Sequence, residues 1–339
     1  MTLEVNKKLL YLVFIIIGLL SCKEGNKPYS VLQGYAQGST FRIVYDPVSS
    51  DDYTAEVDSI LLVIDKSMSL WDSTSIIRKV NESDEPVIVD EHFKNVFNRS
   101  VYFYEISGGA FDPTLSPLID AWGFARKHGT GLPSDRDIDS LKNYVGLNKF
   151  RLEGNKLYKD FAGAQLNFNA IAQGYTADVL GDYLEEQGVP NYLVEIGGET
   201  KAKGLNQSGS KWKVGIEKPD FNQTSTTNAV KTVVGLTDGA LVTSGSYRKY
   251  IEKDGKKYSH TLDAKTGKPV THNLLSAAVV VPEAMDSDAY ATMFMVMGKD
   301  AALKYANEHN LAIQCIFDDN GILGVAYSEA FKKLIILEN

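Results

Sequence analysis

Apolar residues recur along this chain at intervals of two or of three and four, and the change between these periods marks the expected elements. From Gln33 to Tyr45 the chain alternates and is rich in Thr, Phe, Ile, Val and Tyr, which predicts a strand with a turn at Gly38. Asp51 and Asp52 can cap a helix from about Tyr53 to Leu70, where Val57, Ile60, Leu61, Ile64 and Met68 share one face. A second helix is expected from Glu91 to Ile106, with Phe93, Val96, Phe97, Val101 and Tyr104 inward and Gly108-Gly109 after its end. A shorter charged helix follows from Ser134 to Val145. Gly154-Asn155 then joins Phe150–Glu153 to Lys156–Lys159 as a hairpin.

The second half mixes both periods. Helices are expected over Gly174–Gly188, Asp286–Met297 and Asp300–His309. Strands are expected over Tyr192–Ile196, Trp212–Glu217, Ala240–Thr243 and Ser276–Val281, with a closing hairpin of Ala312–Phe317 and Ile322–Ala326. Strands and helices mix without strict alternation, so the fold class is α+β: one domain of mostly antiparallel sheets with packed helices, over residues 32–339. No sequence period suggests a solenoid.

The N-terminus reads differently. Lys7 and Lys8 precede an apolar run from Leu9 to Leu20, too short to span a bilayer comfortably, which is the pattern of a secretory signal over residues 1–21. Its end, Leu19-Leu20-Ser21-Cys22, resembles the lipobox of a bacterial lipoprotein. That resemblance implies acylation at Cys22, a lipidated tether over residues 22–31, and a membrane-anchored protein of the cell envelope facing the periplasm or otherwise outside the cytoplasm. With Cys22 acylated, Cys315 is left alone and no intramolecular disulfide can form; its apolar segment predicts core packing. A net charge of −8 without a long basic run ranks nucleic acid low as a partner.

The chemistry concentrates in five segments. Neither G-x-G-x-x-G, nor a P-loop, nor H-E-x-x-H occurs. Met68–Ser73 places Trp71 after a helix end, where it either stacks on a ligand ring or joins the core. Gly108–Leu118 with Trp122-Gly123-Phe124 is a loop stiffened by glycines and prolines, either ligand-facing or a rigid turn between helices. Asn167–Asp178 carries a strand into a helix, and such a junction leaves free N–H groups that suit phosphate. Glu195-Ile196-Gly197-Gly198-Glu199 is a strand end where Gly-Gly permits close approach of backbone to ligand. Last, Thr243-Ser244-Gly245 and Tyr258–Asp263 crowd hydroxyls around His260. Asp288 and Thr292, four apart on one helix face, offer oxygen-only ligation suited to Mg²⁺ and poor for zinc. His92, His128, His272 and His309 read as ordinary polar-loop or surface residues.

Together these segments resemble the FAD:protein FMN transferase family, the ApbE-type flavin transferases, in order from about Gly34 to Ile336. Gly109–Thr114 with Trp122-Gly123-Phe124, Ala170–Tyr175, and Ser259–Asp263 with Thr266-Gly267 carry the likeness most specifically. The resemblance implies a T-fold-related architecture and Mg²⁺-dependent transfer of the FMN half of FAD to a Thr or Ser hydroxyl of an acceptor redox protein, releasing AMP. Ala110, Phe111 and Asp112 match the FAD-contacting motif, and Trp71, Gln37 and Leu262 match further FAD contacts. The carbonyl of Ala170, Asp288 and Thr292 match the Mg²⁺ ligands, and His260 matches the histidine proposed to act in transfer.

Physical chemistry fits that assignment. A hydroxyl cannot ionise beforehand at neutral pH, whereas an imidazole, with an unperturbed pKa of about 6.5, takes its proton as the bond forms. Asp263 stands where it could orient the imidazole. The chain departs from many members at two nucleotide-contacting positions, with Asn167 in place of Asp and Gln173 in place of Lys or Glu. Two alternatives follow from the same site: FAD pyrophosphate hydrolysis to FMN and AMP, or a flavin-binding lipoprotein without turnover.

Overall fold

The computed structural model describes residues 28–49, 52–124, 132–219, 230–246, 250–253 and 256–338. The expected signal segment, Cys22 and His128 lie outside the described residues, as does the tether as far as residue 27. Eight strands form the central sheet: β1 (Ser30–Ala36), β2 (Ser39–Tyr45), β3 (Tyr192–Ile196), β4 (Glu199–Lys203), β5 (Asp238–Gly245), β6 (Leu274–Val281), β7 (Ala312–Asp319) and β8 (Ile322–Tyr327). Their spatial order is their chain order, and every neighbouring pair is antiparallel. The α+β, antiparallel expectation therefore holds.

Strand periodicity divides this sheet between two cores. Val242, Ala277, Val279, Ile313 and Cys315 turn to one face. There they meet helices α1 (Thr54–Met68), α2 (Glu91–Ile106) and α4 (Ala284–Met297) through Ile64, Phe93, Phe97 and Phe294. Helix α3 (Ala172–Glu186) joins them, packing Ala177, Leu180 and Leu184 on Ile43, Val194 and Ile196. The intervening residues Leu241, Ala278 and Ile316 turn the other way. They pack on Trp212, Ile216, Val234 and Phe331, mostly from a three-stranded sheet of Trp212–Glu217, Val230–Leu236 and Ile335–Glu338. Burial pushes the Cys315 thiol up to about 12, so it is an inert core residue. Among the described residues, no helix is long and apolar enough to cross a membrane.

A small third core settles what Trp122 and Gly267 do. Leu118, Trp122, Ile138, Val145 and Leu262 pack together, and the Trp122 indole N–H donates to the Gly267 carbonyl at 2.9 Å. This contact joins two segments 145 residues apart and sets His260 beside the 108–124 region. The 108–118 segment is not wholly a loop. Ser116–Trp122 is a short helix with Pro117 in its first turn, closed by Gly123 in the left-handed region at φ 82°. Nor is the approach to α3 a strand: residues 164–168 have no regular secondary structure and lead through a turn into the helix.

Candidate active site

One cavity of about 1310 Å³ is lined from both faces of the sheet, by Asp288 and Thr292 of α4, by Leu193 and Leu241 of the opposite face with Val214 of the three-stranded sheet, and by the loops that carry Trp71, Asp112, Ala170 and His260. It is larger than the ~300–1,000 Å³ of a drug-sized ligand site, and so has room for a dinucleotide. Of the thirteen FAD, metal and catalytic positions expected from sequence, ten line it: Trp71, Ala110, Phe111, Asp112, Asn167, Ala170, His260, Leu262, Asp288 and Thr292. Trp71 is 78% exposed, which excludes the core-packing alternative and leaves its ring free to cover a ligand.

Helix α4 carries the oxygen donors. Asp288 and Thr292 stand one turn apart, Asp288 fully buried and Thr292 Oγ1 3.4 Å from Ser244 Oγ on β5. Ser287 pins the helix to the sheet, donating to Val279 O at 2.7 Å and accepting from Val242 N at 3.1 Å. Asp178, on α3, accepts from the α4 amides of Ala284 and Met285, both at 2.8 Å. Lys201 closes that network, 3.2 Å from Asp178 and 2.7 Å from Glu283. Asp286 sits in the first turn of α4, where Arg99 holds both its oxygens, at 2.6 and 2.5 Å.

The start of α3 is shaped for the same purpose. The Gly174 amide, which would ordinarily reach back to Ala170 O, donates to Asp288 Oδ2 at 3.3 Å. Among the described residues no backbone amide takes the Ala170 carbonyl, so it remains available to a ligand. Gly174 must be glycine: a Cβ there would collide with the Ala284 carbonyl and stand 2.9 Å from Asp288 Cβ. Asn167 Oδ1 accepts from Asn169 N at 2.9 Å, building the turn that presents Ala170.

Burial governs the electrostatics. Burial pushes the Asp112 carboxyl up to about 6, although the amide and hydroxyl of Thr114 donate to it at 2.8 and 2.5 Å. Glu199 is pushed up to about 7 by burial and by Glu195. Asp288 is held well above the carboxylate range by burial and then by the facing Glu199. Both Glu195 and Glu199 line the cavity beside the Gly197-Gly198 turn. The glycines of that turn are legible in the sequence but the role of its carboxylates is not, since nothing local marks Glu199 as acting on Asp288.

Three expected positions stand elsewhere. Asp263 does not line the cavity; its Oδ1 accepts from Lys265 N at 2.9 Å, so this carboxylate builds the turn of the 262–269 ribbon. The ring beside His260 is instead that of Phe124, edge-on at 6.4 Å between centroids. Gln37 occupies the β1–β2 turn at φ 53° and donates to Thr176 Oγ1 at 2.8 Å, behind the cavity wall. Gln173 lies under Gly197, where a Cβ would meet its Nε2 at 2.6 Å. The histidines read as ordinary do stand outside: His92 meets Tyr175 at 2.8 Å, His272 accepts from Leu274 N at 3.3 Å, and His309 stacks on Tyr305.

This geometry can be set against known proteins. The model of the ApbE family matches residues 37–317. The chain belongs to the ApbE family. It is 33% identical to the FAD:protein FMN transferase of Haemophilus influenzae, over 95% of this chain and 96% of that one. The corresponding protein of Vibrio cholerae is 34% identical, over 90% and 92%. Among solved structures, the flavin transferase ApbE from Vibrio cholerae superposes with a TM-score of 0.81 at 32% identity, covering 90% of this chain and 99% of that one.

In this ApbE family member, two consequences of the site's construction can be measured. Asp178→Ala removes the acceptor for two α4 amides and one partner of buried Lys201. It is expected to cost about 3–5 kcal/mol in urea unfolding, and a loss below ~1 kcal/mol would contradict the assigned anchor. The second consequence concerns pH. Asp112 has a folded pKa near 6 against 3.8 unfolded, so its contribution to stability is complete below about 3.8 and is lost as pH rises through 6. Asp112→Asn is therefore expected to gain stability on wild type between about pH 4 and 7, read as a narrowing or reversing Tm difference. A constant difference across that window would contradict the burial-driven shift.

Proposed function

We propose that this protein transfers the FMN half of FAD to a threonine or serine hydroxyl of an acceptor protein and releases AMP. The observation that carries this reading is the cavity, which joins Trp71, the Ala110–Asp112 loop, the Asn169-Ala170 turn before α3, His260, and Asp288 with Thr292 in one space of dinucleotide size. The relatives named FAD:protein FMN transferase support it over nearly the whole chain.

In this reading the exposed Trp71 ring covers the flavin end and the Asn169-Ala170 turn before α3 faces the same space; the expected free helix amides are largely taken, Ala172 N by Phe168 O at 2.8 Å and Gly174 N by Asp288 Oδ2 at 3.3 Å. His260 removes the acceptor proton as the new P–O bond forms; the P–O bond to the AMP half breaks, and AMP leaves with that electron pair. Phe124 and the Trp122–Gly267 contact fix the ribbon that carries His260. The Ala170 carbonyl, Asp288 and Thr292 form an oxygen-only set that fits Mg²⁺, and a buried carboxylate without a cationic neighbour calls for one. Bound there, Mg²⁺ would neutralise charge on the pyrophosphate.

The ratio of products tests transfer against hydrolysis. With FAD, Mg²⁺ and a redox acceptor, transfer gives one flavinylated acceptor for each AMP. AMP accompanied only by free FMN would establish hydrolysis, and retained FAD without AMP would leave a flavin-binding protein. The same reading places the mature protein on a bacterial envelope membrane through acylated Cys22, supported by the Leu19–Cys22 segment. Cys22→Ser is expected to move the protein from the membrane to the soluble fraction without lipid mass, and membrane retention at wild-type level would contradict the anchor.

A further inference from the structure

Glu199 Oε2 is buried without any hydrogen-bond partner. The residue lines the cavity, and its carboxylate repels that of Asp288. A carboxylate oxygen removed from water and left unpaired costs several kcal/mol in ordinary folds, so its retention calls for a partner absent from the polypeptide. The nearest polypeptide candidates are excluded. Gln173 Nε2 lies on the same side of Gly197, yet Oε2 accepts nothing from it. Lys201, on the same strand, is held by Asp178 at 3.2 Å and Glu283 at 2.7 Å. Among the described residues, neither Glu199 nor Asp288 forms an ion pair.

The turn is built to hold this arrangement. Gly197 and Gly198 have φ of 65° and 112°, and a Cβ at Gly197 would stand 3.0 Å from Glu199 Oε2. Glycine there keeps the space over the carboxylate open. Two cavity-lining carboxylates, one with its Oε2 unpartnered and the other holding a single long amide contact at 3.3 Å, form an oxygen seat for a hard cation.

We propose that Glu199 is a further cation-binding carboxylate, sharing with Asp288 the charge of a hard divalent cation in this cavity. The inference rests on the reading that the cavity holds such a cation, and it assigns the β3–β4 turn a part in holding it.

Calorimetric titration of MgCl₂ into the purified protein without FAD tests this, and it reads binding alone, so failure of the transfer reading would leave the result intact. Glu199→Gln keeps the shape and removes the charge; it is expected to weaken Mg²⁺ binding ~10-fold or more. Its melting temperature without Mg²⁺ is expected to equal or exceed that of wild type, because an unpaired buried charge has gone. Glu195→Gln, a change at another cavity-lining carboxylate, is expected to alter affinity less than ~3-fold. Should Glu199→Gln fail to fold, Glu199→Asp keeps the charge but withdraws it by one methylene, and the same loss is expected. Wild-type affinity in the variant that folds, an equal loss in Glu195→Gln, or a wild-type protein without any Mg²⁺ site would each overturn the proposal.

Discussion

His260→Ala is expected to lower FMN transfer by ~10²–10⁴-fold, the range for a lost general base. FAD affinity, read by flavin fluorescence, is expected to stay near that of wild type. The reasons are positional. The imidazole lines the cavity on a segment fixed by Trp122 and Gly267, and its aromatic neighbour is Phe124. The Ala110–Asp112 loop and the Asn169-Ala170 turn, which the proposed function turns to the nucleotide, lie on other elements and are untouched by the change. A fall in kcat with KM for FAD unchanged marks an interaction made in the transition state. Unchanged transfer would remove His260 from the mechanism. Asp263→Asn is expected to act quite differently, since its oxygen serves the Lys265 turn and an amide oxygen can replace it.

Asp288→Asn is expected to raise the Mg²⁺ concentration for half-maximal transfer by more than ~100-fold, beyond the 10–100-fold typical of an indirect partner. This variant is cleaner than alanine. Its side-chain oxygen still accepts from Gly174 N, and no space opens between α3 and α4. Stability should hold or rise, because Asp288 is completely buried, faces Glu199 and lacks a cationic partner. Loss of metal response in a protein that melts no lower than wild type separates ligand function from folding. An unaltered Mg²⁺ dependence would exclude Asp288 as a ligand.

How much of this was legible in the sequence depended on the range of the interactions involved. Helices α1, α2 and α4 were predicted within a few residues because their apolar spacing is a local property. The second strand of the Gly197-Gly198 hairpin was missed because β4 reads Glu-Thr-Lys-Ala-Lys, too polar for a core strand. Its Lys201 is buried only because Asp178 and Glu283 meet it there. The helices Ile76–Glu82 and Ser116–Trp122 were missed although their signals were present: Ser75 caps the first, and Pro117 and Gly123 bracket the second. Short helices between glycines and serines resemble loops until tertiary packing decides.

The site divides along the same line. Ten of its residues came from motifs carried by family resemblance, and the cavity gathers them. What no motif displayed was the support behind them. Asp178 reaches amides 106 and 107 residues away, and Glu199 acquires its meaning from Asp288 on helix α4. Asp263 stands apart from this group: it does not line the cavity, and its Oδ1 serves the turn at Lys265.

The central claim is covalent transfer of FMN from FAD to a protein hydroxyl. Its most direct test is the intact mass of a redox acceptor incubated with this protein, FAD and Mg²⁺, followed by peptide mapping. The account predicts an acceptor heavier by one FMN phosphodiester on a single threonine or serine, formed with wild-type protein and absent with His260→Ala. An acceptor of unchanged mass while FAD is consumed to free FMN and AMP would contradict it.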